Sequence, residues 1–222
     1  MSEMVLEVRG LRKQYPTFTL DDVAFSLEAG RIMGFIGRNG AGKTTTLKSI
    51  LGLVRPDAGE IRCFGLPFAE NEQRIKEQIG YAAGGISYYP HRRVQEIAEM
   101  TAAFYPRWDW EAYRRYLERF SLEENKQFRE LSEGMKVKFH LALALSHHAR
   151  LLLLDEPTSG LDPVSREELL EIFLELAEEG VAILFPPISS PIWKSAPMIL
   201  PISKREKSWQ TSRLRSSGRI TA

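Results

Sequence analysis

The sequence predicts an α/β domain with a mostly parallel sheet, an antiparallel β subdomain and an inserted helical subdomain. Three observations carry that reading. The run "RIMGFIG" leads through glycines into "KTTTLKSILGLV", so a strand, a tight loop and a helix follow one another. Around residues 94 to 149 the period turns helical, with apolar residues three and four apart in "VQEIAEMTAAFY", "DWEAYRRYLERF" and "EGMKVKFHLALALSHHA". From Leu151 the pattern reverts to short apolar runs, "LLLLDEP" and "VAILF", joined by a helix that opens near Pro163 and stops at Gly180.

Before the first helix, "MVLEVRGL" and "LDDVAFSLEAG" read as strands of the antiparallel part. The expected layout is one domain over residues 1–185, its helical subdomain at about 86–149, followed by a distinct segment over 186–222. At 222 residues the chain can bury a full-sized core, and a formal charge of +1 with 43% apolar residues excludes a disordered class. The single cysteine, Cys63, excludes an internal disulfide, and the start lacks a secretory pattern, so a cytoplasmic location is expected. No apolar run approaches a membrane span, so any membrane role is expected to come through a partner. Lys204, Arg205, Lys207, Arg213, Arg215 and Arg219 crowd the end, but a solvated tail accounts for them and no nucleic-acid partner is expected.

Gly37 to Thr44, "GRNGAGKT", fits the phosphate-loop pattern and has the strand before it and the helix after it that the chemistry needs. Glycines at Gly37, Gly40 and Gly42, with Arg38, Asn39 and Ala41 between them, let successive backbone N–H groups face phosphate oxygens, and the helix adds its positive end. Lys43 is expected to reach the β- and γ-phosphates of ATP, Thr44 to bind the nucleotide and ligate Mg²⁺, and Thr45 to bind the nucleotide. Asp155 and Glu156 end an apolar strand, where a parallel sheet exposes functional side chains. Either they cap the next turn, or Asp155 holds Mg²⁺ through water and Glu156 acts as the base on attacking water; the upstream lysine loop favours the second. The fold class is then that of a phosphate-loop NTPase.

"LSEGMK" opens a helix just before "LLLLDEPTSGLD", and with these motifs the chain resembles the ATP-binding subunits of ATP-binding cassette (ABC) transporters over roughly residues 4 to 185. "LSEGM" looks like that family's LSGGQ signature, keeping Ser132 and Gly134 and departing at Glu133 and Met135. "SGLD" looks like its D-loop, ending at Asp162, and Tyr15 matches its adenine-stacking aromatic, although a strand-edge tyrosine reads the same way. "FYPRWDW" and the block from "LSEGM" to "GLDP" look most like small bacterial exporter-type subunits. The resemblance implies two cassettes, identical or not, stacked head to tail, with Ser132 and Gly134 serving the partner's ATP. It also implies a separate polytopic membrane subunit that holds the protein at the inner face of the cell membrane. A Ser132 helix cap is compatible with that role.

Two features depart from the family. "IGYAAGGISYYP" puts Gly84 where a glutamine usually touches the metal, leaving the neighbouring Tyr88 and Tyr89 as candidate contacts for a membrane partner. The family also places a histidine, within Ser-Thr-His, after the strand matching "VAILF", whereas this chain has histidines only at 91, 140, 147 and 148 and prolines at 186, 187, 191, 197 and 201. Back-translated with one extra T before codon 186, permitted codons read STHIISDLEKCADDIAYIKKGEILA through Gln210. The single codons of Trp193, Met198 and Trp209 force three of those letters, Glu, Asp and Ala. Residues 186–222 are therefore expected to be an out-of-frame tail, from mutation or an error in the sequence, without native structure. The expected chain binds ATP and hydrolyses it poorly. The rival readings are a soluble, non-transport regulatory ATPase of the same type and a non-functional remnant.

Overall fold

The computed structural model describes residues 3–36, 42–83, 89–185, 198–202 and 212–213. Strands β1 (Met4–Tyr15), β2 (Phe18–Glu28), β3 (Ile32–Ile36), β4 (Ala58–Cys63) and β5 (Leu66–Pro67) surround helix α1 (Lys43–Ile50) in sequence. Helix α2 (Glu72–Lys76) and β6 (Ile79–Ala83) lead to the helical subdomain, α3 (Val94–Ala102), α4 (Trp110–Arg119) and α5 (Glu133–Ser146). Then come β7 (Leu151–Asp155), α6 (Pro163–Glu178), β8 (Ala182–Phe185), β9 (Met198–Ile202) and β10 (Ser212–Arg213).

Two sheets result. The antiparallel one runs β2-β1-β4-β5, and the six-stranded one runs β10-β9-β3-β8-β7-β6, with β3, β8, β7 and β6 mutually parallel. The "LLLL" run explains how the parallel sheet is held. Leu152 and Leu154 enter the core shared with the helical subdomain and α6, while Leu151 and Leu153 enter the core beneath α1 and the antiparallel sheet. Alternation of side chains across a strand buries all four, at roughly 1.5–3 kcal/mol each. β8 divides in the same way, Ile183 and Phe185 to one side, Ala182 and Leu184 to the other.

The helical subdomain is joined to the sheet at close quarters. A Cβ built on Gly80 of β6 would lie 2.4 Å from the Ala144 Cβ and 2.6 Å from the Leu152 Cδ2, so glycine is what lets α5 approach β6. Arg119 of α4 also bridges Glu175 of α6 and Glu179, which caps that helix, each at 2.9 Å.

The segment read as an out-of-frame tail contributes two strands. Met198–Ile202 pairs antiparallel with β3, Pro201 standing opposite Met33, and Ser212–Arg213 pairs with β9. "MILPI" is a short apolar run with the composition to fill the edge beside β3, although Pro201 brings no N–H to that ladder. The remaining residues of 186–222 lie outside the described residues.

Two of the four histidines belong to the core architecture. His147 is buried, its Nδ1 is 3.2 Å from the Glu77 carbonyl, and its ring stacks on Tyr105 with centroids 3.7 Å apart. Burial pushes His147 down to about 4, with the Glu77 contact opposing and neighbouring His148 adding to the fall; burial also lowers His140 to about 4. An unfolded histidine titrates near 6.5, so between that value and about 4 the unfolded chain takes up protons first. Stability should therefore be full above about pH 6.5 and fall toward pH 4, by on the order of 1–3 kcal/mol per histidine. Denaturant unfolding at about pH 7, 5.5 and 4.5 checks this, and a flat profile would contradict it.

Candidate nucleotide site

The parallel strands β3, β8, β7 and β6 end together at Ile36, Phe185, Asp155 and Ala83, and in the ladder Ala83 stands opposite Asp155. Ligands bind outside the carboxyl edge of such a sheet. α1 starts at that edge with Gly42 as its cap, at φ +87°. A Cβ there would lie 2.5 Å from the Leu20 Cδ1 and 3.0 Å from the Phe18 Cζ, so conformation and space both demand glycine. The Gly42 carbonyl accepts from the Thr46 backbone N–H at 2.8 Å and from its hydroxyl at 3.0 Å, fixing the first turn.

Lys43 is the first helical residue, and α1 packs against β7. Burial lowers the Lys43 pKa, opposed by the charges of Glu156 and Asp155. Asp155 shifts upward, from burial and then from Glu156, with Lys48 and Lys43 opposing. One ammonium and two adjacent carboxylates thus act on one another at the sheet edge. Lys48, one helical turn further on, was not among the residues expected there from sequence. Thr44 is exposed and Thr45 half-buried in the first turn of α1. Glu156 has φ +50°, the left-handed region that a glutamate rarely occupies. Such backbone strain collects at functional sites, and no sequence pattern announces it.

Tyr15 is the last residue of β1 and lies within the strand, and its ring stacks on Phe18 with centroids 6.4 Å apart. Since Phe18 abuts Gly42, Tyr15 lies one ring away from the start of α1. Gly37, Arg38, Asn39, Gly40 and Ala41 lie outside the described residues, as do Gly84 and Tyr88; Tyr89 is exposed.

Ser132, Gly134 and Asp162 form a second set. Ser132 caps α5, accepting from the Met135 N–H at 3.2 Å. A Cβ on Gly134 would sit 3.6 Å from the Ser165 Cβ and 3.8 Å from the Leu161 Cδ2, so the start of α5 lies against the turn that opens α6. Asp162 caps α6, accepting from the N–H groups of Val164 and Ser165 at 3.0 Å and from the Ser165 hydroxyl at 2.5 Å. These bonds, the hydroxyl first, lower its pKa.

A family model described as "ABC transporter" matches residues 20–159, more than half of the chain. The chain belongs to the ABC transporter family. Among curated relatives, the ABC transporter ATP-binding protein YtrB of Bacillus subtilis is 33% identical over 182 residues, covering 81% of this chain and 62% of that protein. The bacitracin transport ATP-binding protein BcrA of Bacillus licheniformis is 36% identical over 184 residues, covering 82% and 60%. This ABC chain therefore spans about 60% of the length of these relatives. A solved ATP-binding subunit of an ABC transporter superposes with TM-score 0.70 at 30% identity, covering 83% of this chain and 80% of that one. That likeness carries the phosphate-loop fold and its two sheets.

Proposed function

We propose that this chain is the ATP-binding subunit of an ABC transporter, that it holds Mg-ATP, and that as written it turns ATP over slowly. The observation that carries the reading is the meeting of Lys43 with Asp155 and Glu156 where a glycine-capped helix begins at the carboxyl edge of the sheet. The residues fit the ligands: Lys43 and the start of α1 suit a polyphosphate, and Thr44 with Asp155, directly or through water, suits a Mg²⁺ that keeps phosphate and water ligands. Glu156 is placed beside Asp155 as the base toward water. Tyr15 supplies a ring face for adenine.

Ser132 and Gly134 serve the ATP of a second cassette, identical or not, and Asp162 stiffens the turn beside them. Among the described residues no helix is long and apolar enough to cross a membrane, and a separate polytopic membrane subunit supplies the passage. The subunit then sits at the inner face of the membrane. The relative named for bacitracin transport supports the transporter reading.

Slow turnover follows from the residues at Gly84 and beyond Phe185, where the glutamine and histidine of the family are missing. The out-of-frame origin of 186–222 explains the second loss, and sequencing the DNA across codon 185 tests it. Co-expression with a polytopic membrane protein encoded by a neighbouring gene should yield a stable complex on purification. A chain that never associates with it would overturn the transporter reading.

A further inference from the structure

Tyr15 does not stand alone at the end of the β1–β2 hairpin. Only Pro16 and Thr17 join β1 to β2, so Tyr15 and Phe18 are cross-strand partners whose side chains share a face. Their rings stack with centroids 6.4 Å apart and planes at 25°. Tyr15 is exposed, whereas Phe18 is half-buried and packs against the core that holds Leu20, Leu47 and Leu153. A binding side chain is precise only when its own rotamer is locked by packing, and Phe18 is the ring packed behind Tyr15.

Phe18 is fixed in turn at the start of α1. Its Cζ lies 3.0 Å from where a Cβ on Gly42 would stand, beside the Leu20 Cδ1 at 2.5 Å. The hairpin stem is anchored as well: Asp57 accepts from the Gln14 N–H and the Lys13 ammonium, each at 2.8 Å, and donates its own N–H to the Arg12 carbonyl at 2.8 Å. Gly42 keeps its place without Phe18, because its carbonyl accepts from both the backbone N–H and the hydroxyl of Thr46. Removing the Phe18 ring therefore frees Tyr15 and spares the phosphate end of the site.

We infer that Phe18 is a positioning residue for the nucleotide: its ring, seated against Gly42, holds Tyr15 in the orientation in which Tyr15 takes adenine. It acts through Tyr15 and needs no contact of its own with ATP. This rests on the nucleotide reading of the site, to which it adds the part that fixes the adenine end relative to the phosphate end.

Mg-ATP and Mg-tripolyphosphate share a phosphate chain and differ by the nucleoside, so calorimetric titrations of the full chain with each separate the two ends. Tyr15→Ala should weaken Mg-ATP about tenfold and leave Mg-tripolyphosphate within about twofold. Phe18→Leu keeps apolar bulk against Gly42 and Leu20 but offers no flat face, and should weaken Mg-ATP about threefold to tenfold, again sparing tripolyphosphate. Added to Tyr15→Ala, Phe18→Leu should cost nothing more, because no ring is left for it to hold. Melts without ligand establish that each variant folds, and Phe18→Met takes the place of Phe18→Leu if that one does not. Undiminished Mg-ATP affinity in Phe18→Leu while Tyr15→Ala loses it, an equal loss for tripolyphosphate, or additive losses in the double variant would overturn the inference alone. No saturable Mg-ATP binding by the unaltered chain would overturn the nucleotide reading and the inference with it.

Discussion

Replacing residues 186–210 with STHIISDLEKCADDIAYIKKGEILA is expected to raise steady-state ATP hydrolysis at least about a hundredfold, because the replacement returns a positioning group to the γ-phosphate. The structural reason lies in register. Leu184 of β8 stands beside Leu153 of β7, so β8 ends one residue short of the level of Asp155, at the same sheet edge. Within the replacement, Ile188→His places an imidazole three residues past that strand. Phosphoryl transfer is largely positioning and charge neutralisation, and losing one aimed donor costs about 2.7–4 kcal/mol in comparable sites. Phosphate release from both purified chains at saturating Mg-ATP makes the comparison. Glu156→Gln in the restored chain should return the rate to background. Equal turnover by the chain as written would sink the slow-turnover reading.

The same replacement changes the sheet. Met198–Ile202 already occupies the edge of β3, and the restored letters put DDIAY at those positions, with Pro201→Ala among the changes. An N–H returns opposite Met33, where proline has none to give. The segment whose prolines argue against native strands thus contributes two, β9 beside β3 and β10 beside β9.

What the residues disclosed by themselves depended on how local the cause was. The "LLLL" run and "VAILF" were legible as buried parallel strands because a strand covered on both faces has no polar alternation to conceal. Lys43, Asp155 and Glu156 were legible because strand, loop and helix bring them to one edge by connectivity alone. The Ser132 cap was legible for the same reason: its partner is three residues away. Tertiary causes were not. The left-handed Glu156, Lys48 acting on Asp155, and Gly134 lying against Ser165 all depend on how distant elements meet. The Tyr105–His147 stack joins residues 42 apart in number only because α5 ends beside the loop after α3. Asp162 showed itself in sequence as part of a motif, while its bond to the Ser165 hydroxyl required the turn geometry.

Lys43→Ala should remove most of the stabilisation that Mg-ATP confers. A ligand at about a hundred times its Kd stabilises the folded state by about 2.7 kcal/mol, which for a chain of this size is a rise of roughly 5–10 °C in Tm. Burial lowers the Lys43 pKa, and the nearby Glu156 and Asp155 oppose that fall by favouring its charged form. Its loss takes away the cation that faces the polyphosphate and leaves two acids facing each other, so electrostatic repulsion adds to the missing attraction. The nucleotide-free melt should move far less than the Mg-ATP shift, since no core side chain is removed. Glu156→Gln supplies the contrast: it removes an acid that repels phosphate, so the Mg-ATP shift should persist or grow. A Lys43→Ala chain that keeps the full shift would place the nucleotide elsewhere. Loss of the shift in both variants would indicate damage to the fold of the sheet edge, with no specific role for the lysine.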